Sequence, residues 1–116
     1  MPGTQITHGL IIERPWIDYI LEGRKTWENR STRTSRRGRI ALIRKGSGAI
    51  QGTVELTGVV GPLTPAQFKA NWRRMVDKPM SDMRARELAD KWPYAWELKD
   101  AEVLPRPVPV ESRQVV

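Results

Sequence analysis

Residues 39–61, RIALIRKGSGAIQGTVELTGVVG, limit the possible folds more than any other stretch of the chain. Two runs rich in β-branched residues flank a Gly-Ser-Gly turn, which predicts an antiparallel hairpin. The first strand covers residues 39–45 and the second covers residues 49–61. In the second, Val54, Leu56 and Val60 fall on one face of the pleat. Gly52 and Gly58 interrupt it where no side chain can pack, as bulges or bends do. A hairpin with one long, twice-bent arm does not lie flat. The sheet built on it must curl.

The remaining elements are shorter. GLII (9–12) reads as a buried strand. A compact helix follows, with Pro15 at its first position and Gly23 just beyond its end. Trp16, Ile17, Ile20 and Leu21 share one face of it. Residues 25–30 then run as a strand into the polar turn STRTSRRG. Thr64 and Gln67 form the capping box of another helix, striped by Phe68, Trp72, Met75 and Val76. Ser81 caps a further helix, in which Ala85, Leu88, Ala89 and Trp92 recur at helical spacing until Pro93 stops it. YAWEL (94–98) is a strand, and the proline-spaced tail LPRPVPVESRQVV is an extended edge or wrapping strand. About five or six strands with inserted helices predict a single α+β domain, residues 1–116, on a small curled sheet or barrel.

Charge narrows the function classes. The chain carries 20 Lys and Arg against 13 Asp and Glu, a net charge of +7. Arg24, Lys25, Arg30, Arg33, Arg36, Arg37, Arg39, Arg44 and Lys45 lie close together, with Glu28 the one acid among them. Such a run is either a solvated face or a surface for a polyanion, above all nucleic acid. The absence of Cys and the lone His8 exclude disulfides, thiolate sites and multi-histidine metal centres, so no cofactor is expected. His8 reads as a surface residue of a loose N-terminus. No apolar run is long enough to span a bilayer, and MPGTQITHGL lacks secretory character. A cytoplasmic protein without a membrane partner is expected.

GRKTWENR (23–30) gathers Gly23, Lys25, Glu28 and Arg30 as G-x-K-x-x-E-x-R. With the N-terminal strand and RPW before it, and RGRIAL, IQGTVEL, YAWEL and LPRPVPV after it, the order resembles the ASCH family across nearly the whole chain. The resemblance implies a PUA-like pseudo-barrel with a cleft, RNA or nucleic-acid binding, and in some members an activity on nucleosides or RNA. Amidohydrolases of the family use the matching Lys to activate a Thr three residues later, but Glu28 stands there in this chain. Their catalytic carboxylate on the helix after the long strand also has no counterpart in PAQFKANWRRM. Deacylation of N4-acylated cytidine by that mechanism is therefore not expected. The RNA-cleaving pattern includes a Tyr six residues before the Lys, and Tyr19 occupies that place. Tyr19 and Lys25 would then be general acid/base and phosphate stabiliser, although Tyr19 also suits packing on its helix.

Within a regular strand, Lys25, Trp27 and Asn29 face one side and Thr26, Glu28 and Arg30 the other. Lys25 meets Glu28 only if it still belongs to the turn after Gly23. Glu28 and Arg30 form either a structural ion pair or a ligand clamp, Arg30 gripping a phosphate or base edge while Glu28 accepts from an amino group. Trp72 and Trp92 read as core, and Trp16 and Trp96 as structural. Trp27, beside the basic turn, reads as a platform for an unpaired base. The expectation is a small ASCH-type module that binds RNA or single-stranded nucleic acid, with a pocket for a nucleotide or modified base. Arg24, Lys25, Trp27, Arg30, Arg33, Arg36, Arg37 and Arg39 would contact the ligand. The alternatives are a ribonuclease or divergent nucleoside amidohydrolase using Lys25, Glu28 and Tyr19, and a basic module that binds an acidic protein.

Overall fold

The computed structural model describes residues 6–75, 78–110 and 114–115. Its frame is a six-stranded sheet of order β2-β5-β4-β3-β1-β6, curled into a half-barrel. Strands β3 (Gly38–Arg44) and β4 (Ala49–Val60) form the antiparallel hairpin expected around the Gly-Ser-Gly turn. Strand β1 (His8–Ile12) lies parallel to β3 on its other side, and β6 (Gln114–Val115) lies beside β1. His8 thus begins a strand rather than a loose terminus, and Arg36 reaches its Nε2 at 2.8 Å.

Curling comes from register shifts. The β3–β4 ladder slips between Leu42 and Ile43, where Leu42 faces Gly52. The β4–β5 ladder slips three times, once at each of the two glycines and once between Thr53 and Glu55. A Cβ on Gly52 would overlap the carbonyl of Glu102 and the side chain of Leu21. Helix α1 (Trp16–Leu21) can therefore press into the bend only because that side chain is missing.

The C-terminal region departs most from expectation. One strand, β5 (Tyr94–Pro109), includes both YAWEL and the LPRPVP start of the tail, with all three of its prolines. It pairs with β4 along its length, and its second edge is paired over Tyr94–Glu97 by β2 (Trp27–Arg30). Gln51 alone stands opposite residues 104–107, so the tail joins the sheet through a wide bulge that takes in Pro105 and Pro107. The ladder continues past Pro109, where Val110 N–H donates to Gly48 O at 2.9 Å.

Two main cores flank the sheet. Ile17 and Ile20 of α1 pack with Leu10, Ile40, Leu42, Val54, Leu56 and Trp96. On the other side lie α2 (Pro65–Ala70), α3 (Trp72–Met75) and α4 (Asp82–Lys91), which bury Phe68, Met75, Ala85 and Leu88 with Trp27. Thr64 caps α2 through a full capping box and Ser81 caps α4, as their spacing predicts. Pro15 occupies the cap of α1 rather than its first turn. Trp72 packs against the helical core while remaining partly exposed, and Val76 falls outside the described residues.

Candidate nucleic-acid interface

Gly23 decides where the GRKTWENR segment begins to behave as a strand. With φ of 80° it reverses the chain after α1, in the left-handed region that glycine adopts without strain. The amides of Arg24 and Lys25 then both donate to Tyr19 O, at 2.9 and 3.0 Å. Sheet pairing starts only at Trp27, opposite Glu97. Lys25 therefore belongs to the turn, and this is what brings it to Glu28. Its Nζ lies 3.7 Å from Glu28 Oε1. It also donates to Trp27 O at 2.7 Å and to Met75 O at 3.1 Å. Lys25 thus ties the start of β2 to the end of α3.

Alternation along β2 does the rest. Trp27 points into the helical core and is 8% exposed, with Arg74 over its ring at 5.3 Å. It is a wall of the fold and offers no free face to a base. Glu28 and Arg30 face the opposite side, where Glu28 is cross-strand partner to Trp96. Arg30 lies 5.2 Å from the Trp96 ring centre and 4.0 Å from Glu28 Oε2. The Trp96 indole N–H is committed to Thr32 O at 2.9 Å.

These side chains meet in a cleft of about 560 Å³, which opens between β2, the end of β1 and α4. Lys25, Glu28 and Arg30 line it, as do Glu13 after β1, Lys45 in the turn after β3 and Arg84 on α4. Trp16, Trp92 and Trp96 supply its aromatic surface. Trp92 is 38% exposed, although its spacing placed it in the core. The reason is local: Trp92 is the C-cap of α4, with φ −137° and ψ 65°, so its ring leaves the helical stripe. Trp96 is almost fully covered, leaving Trp92 and the partly exposed Trp16 as the accessible rings.

The electrostatics of the floor follow from burial. Desolvation raises the Glu28 pKa above its ordinary 4.5, against the pull of the Lys25 and Arg30 charges. Desolvation likewise lowers that of Lys25 from 10.5, opposed by Glu28. Lys25 at 3.7 Å gives the carboxylate only a long, weak hydrogen bond and Arg30 stands 4.0 Å away, so its oxygens keep acceptor capacity for a closer donor. Among the described residues no cluster of His, Cys, Asp and Glu could hold a metal ion.

The other expected contacts lie elsewhere. Tyr19 is not part of the cleft lining; its ring meets Trp16 edge-on and carries Arg24 at 4.4 Å. Arg33 donates to Gly61 O at 3.0 Å, and Arg37 to Thr34 O at 3.0 Å; both, like Arg36, are exposed on the turn between β2 and β3. Arg39 is half-buried on the sheet, bonded to Thr53 and Asp100 O and paired with Glu55 and Glu102. The basic run of the sequence is thus divided among the cleft, the turn and a sheet face. Sequence reasoning did not single out Lys45, Arg84 and Trp92 as cleft residues, because they are distant in sequence and adjacent only through the sheet and α4.

The sequence model of the ASCH domain family matches residues 10–106, from within β1 through most of β5. The chain belongs to the ASCH family. The crystal structure of ASCH from Zymomonas mobilis superposes with a TM-score of 0.67 at 17% identity, covering 91% of this chain and 76% of that one. Crystal structures of a Tyr-to-Phe and a Ser-to-Ala mutant of the Z. mobilis protein match alike, each at 18% identity and 91% coverage of this chain. They cover 78% and 76% of those chains, with TM-scores of 0.67 and 0.66. These similarities establish the ASCH and PUA-like fold. No protein of curated function matches the chain.

Proposed function

We propose that this ASCH domain binds single-stranded RNA or another single-stranded nucleic acid, and that its cleft takes one unstacked nucleotide. The observation that carries this reading is the composition of one concavity: accessible Trp rings, cations and two carboxylates, the exposed Glu13 and the largely buried Glu28, in the same cleft. Arg30, Lys45 and Arg84 suit phosphate, Trp92 and Trp16 suit the face of a base, and Glu28 suits an amino edge. The exposed Arg33, Arg36 and Arg37 on the neighbouring turn extend the basic surface for the flanking strand. Lys25 holds β2 in place through two main-chain carbonyls, a positioning role rather than that of a catalytic base. Catalysis with Tyr19 would need that ring in the cleft, which favours a binding module over an enzyme.

Binding of a labelled mixed-sequence RNA, single- or double-stranded, followed by fluorescence anisotropy across a salt series, tests the proposal. Single strands should bind more tightly, with affinity falling steeply as salt rises and weakening in Trp92→Ala. Equal affinity for heparin, or binding that ignores Trp92, would indicate a general polyanion or acidic-protein surface instead. Release of shorter fragments during the titration would revive the nuclease reading.

A further inference from the structure

We propose that the cleft selects guanine, its Watson–Crick edge donating two parallel hydrogen bonds to the carboxylate of Glu28. The inference rests on the nucleic-acid reading and specifies which base that site takes. Glu28 is 13% exposed at the side chain and faces the cleft from β2. Its Oε1 is 3.7 Å from Lys25 and its Oε2 4.0 Å from Arg30, so each oxygen has a cation nearby but beyond ordinary hydrogen-bond length. A buried acceptor left in that state gains most from a ligand that donates to both oxygens at once.

Among the common bases, guanine alone presents two adjacent donors, N1–H and the N2 amino group. Adenine and cytosine set one amino donor beside a ring acceptor, and that acceptor would meet an oxygen lone pair. Uracil offers one N–H between two carbonyls and is repelled on both sides. An arginine side chain also carries two parallel donors. The cleft disfavours it, because Arg30, Lys45 and Arg84 line the same space and repel a guanidinium while attracting a nucleotide phosphate. The accessible Trp92 ring adds stacking that any base can use, and Glu13, the other carboxylate of the lining, is exposed to water, so discrimination falls to the largely buried Glu28.

The test is calorimetric titration of the intact chain with GMP, IMP, AMP, CMP, UMP and argininamide. GMP should bind about 5- to 150-fold more tightly than AMP, CMP or UMP, the range for one good bidentate base contact. IMP, which lacks only the N2 amine, should lose much of that advantage. Glu28→Gln should level the panel while retaining binding. A preference for AMP or CMP, equal binding of GMP and IMP, tight argininamide binding, or a guanine preference that survives Glu28→Gln would each overturn the proposal. A guanine-free RNA that binds as well as a guanine-containing one removes base selection and leaves the nucleic-acid reading standing. Failure of every oligonucleotide to bind overturns both.

Discussion

Replacing Lys25 with Met should damage the fold far more than replacing its partner Glu28 with Gln. Lys25 is 6% exposed and donates to the carbonyls of Trp27 and Met75. Met fills similar volume but leaves both carbonyls unpaired and takes a cation from beside Glu28. Removing one member of a buried pair costs about 3–5 kcal/mol, and the stranded carbonyls keep the loss within the upper part of that range. Unfolding entropy of about 2.1 cal/mol/K per residue makes 1 kcal/mol worth roughly 4 °C for a domain of this size. Lys25→Met should therefore lower Tm by roughly 16–20 °C. Glu28→Gln leaves Lys25 its two carbonyl acceptors and removes a charge that burial disfavours, so its cost should stay near about 1 kcal/mol. The double variant should be less destabilised than the sum of the two, by about 1–2 kcal/mol, because Gln needs no counterion. Urea unfolding followed by tryptophan fluorescence measures all four chains. Equal losses in the two single variants, or strict additivity, would show that Lys25 is not the tie between β2 and α3.

Burial gives Glu28 a testable pH signature. Its folded pKa is raised, so its contribution to stability is fully present below its unfolded value near 4.5 and is lost as pH rises through the folded value. The stability of the parent minus that of Glu28→Gln should accordingly fall from pH 4.5 upward, and urea midpoints across a pH series would expose a flat difference. Trp27→Ala should cost about 3–5 kcal/mol as a core truncation, read in the same unfolding assay. Trp92→Ala should instead leave Tm nearly unchanged and weaken single-stranded RNA binding by about 1–3 kcal/mol, read by anisotropy. Replacing Arg33, Arg36 and Arg37 together with Ala should flatten the salt dependence by about 0.7 in log–log slope for each phosphate no longer neutralised. An unchanged slope would make the turn a solvated face.

Much of the frame was legible because local chemistry and tertiary structure agree. The hairpin of residues 38–60, both helix caps, the turn at Gly23 and the bends at the β4 glycines follow from turn residues, capping residues and strand periodicity. The family order was legible for the same reason. The site was harder to see. Lys25 reaches Glu28 only because strand pairing starts two residues later than the segment's composition suggests. Trp92 obeys the helical spacing of α4 up to the residue where the helix ends, and the last residue of a periodic pattern is where periodicity stops predicting direction. The charged neighbours of Trp27 in sequence point to a ligand contact, whereas alternation turns it into the helical core. Arg39 shares the basic run but spends its donors on Thr53, Asp100, Glu55 and Glu102.

The prolines of the last long strand bear on whether its open edge can recruit another chain. Among the described residues, β2 covers the outer edge of β5 only as far as Glu97, although β5 continues to Pro109. A long uncovered edge is a template on which a second chain can grow a sheet, the first step toward fibrils. Pro105, Pro107 and Pro109 withdraw amide donors at alternate positions along that stretch, and the bulge opposite Gln51 breaks its register. An incoming strand would find carbonyls without their complementary N–H groups and no even ladder to follow. Substituting these prolines with Val or Thr should turn a self-limiting edge into an adhesive one, visible as concentration-dependent thioflavin fluorescence.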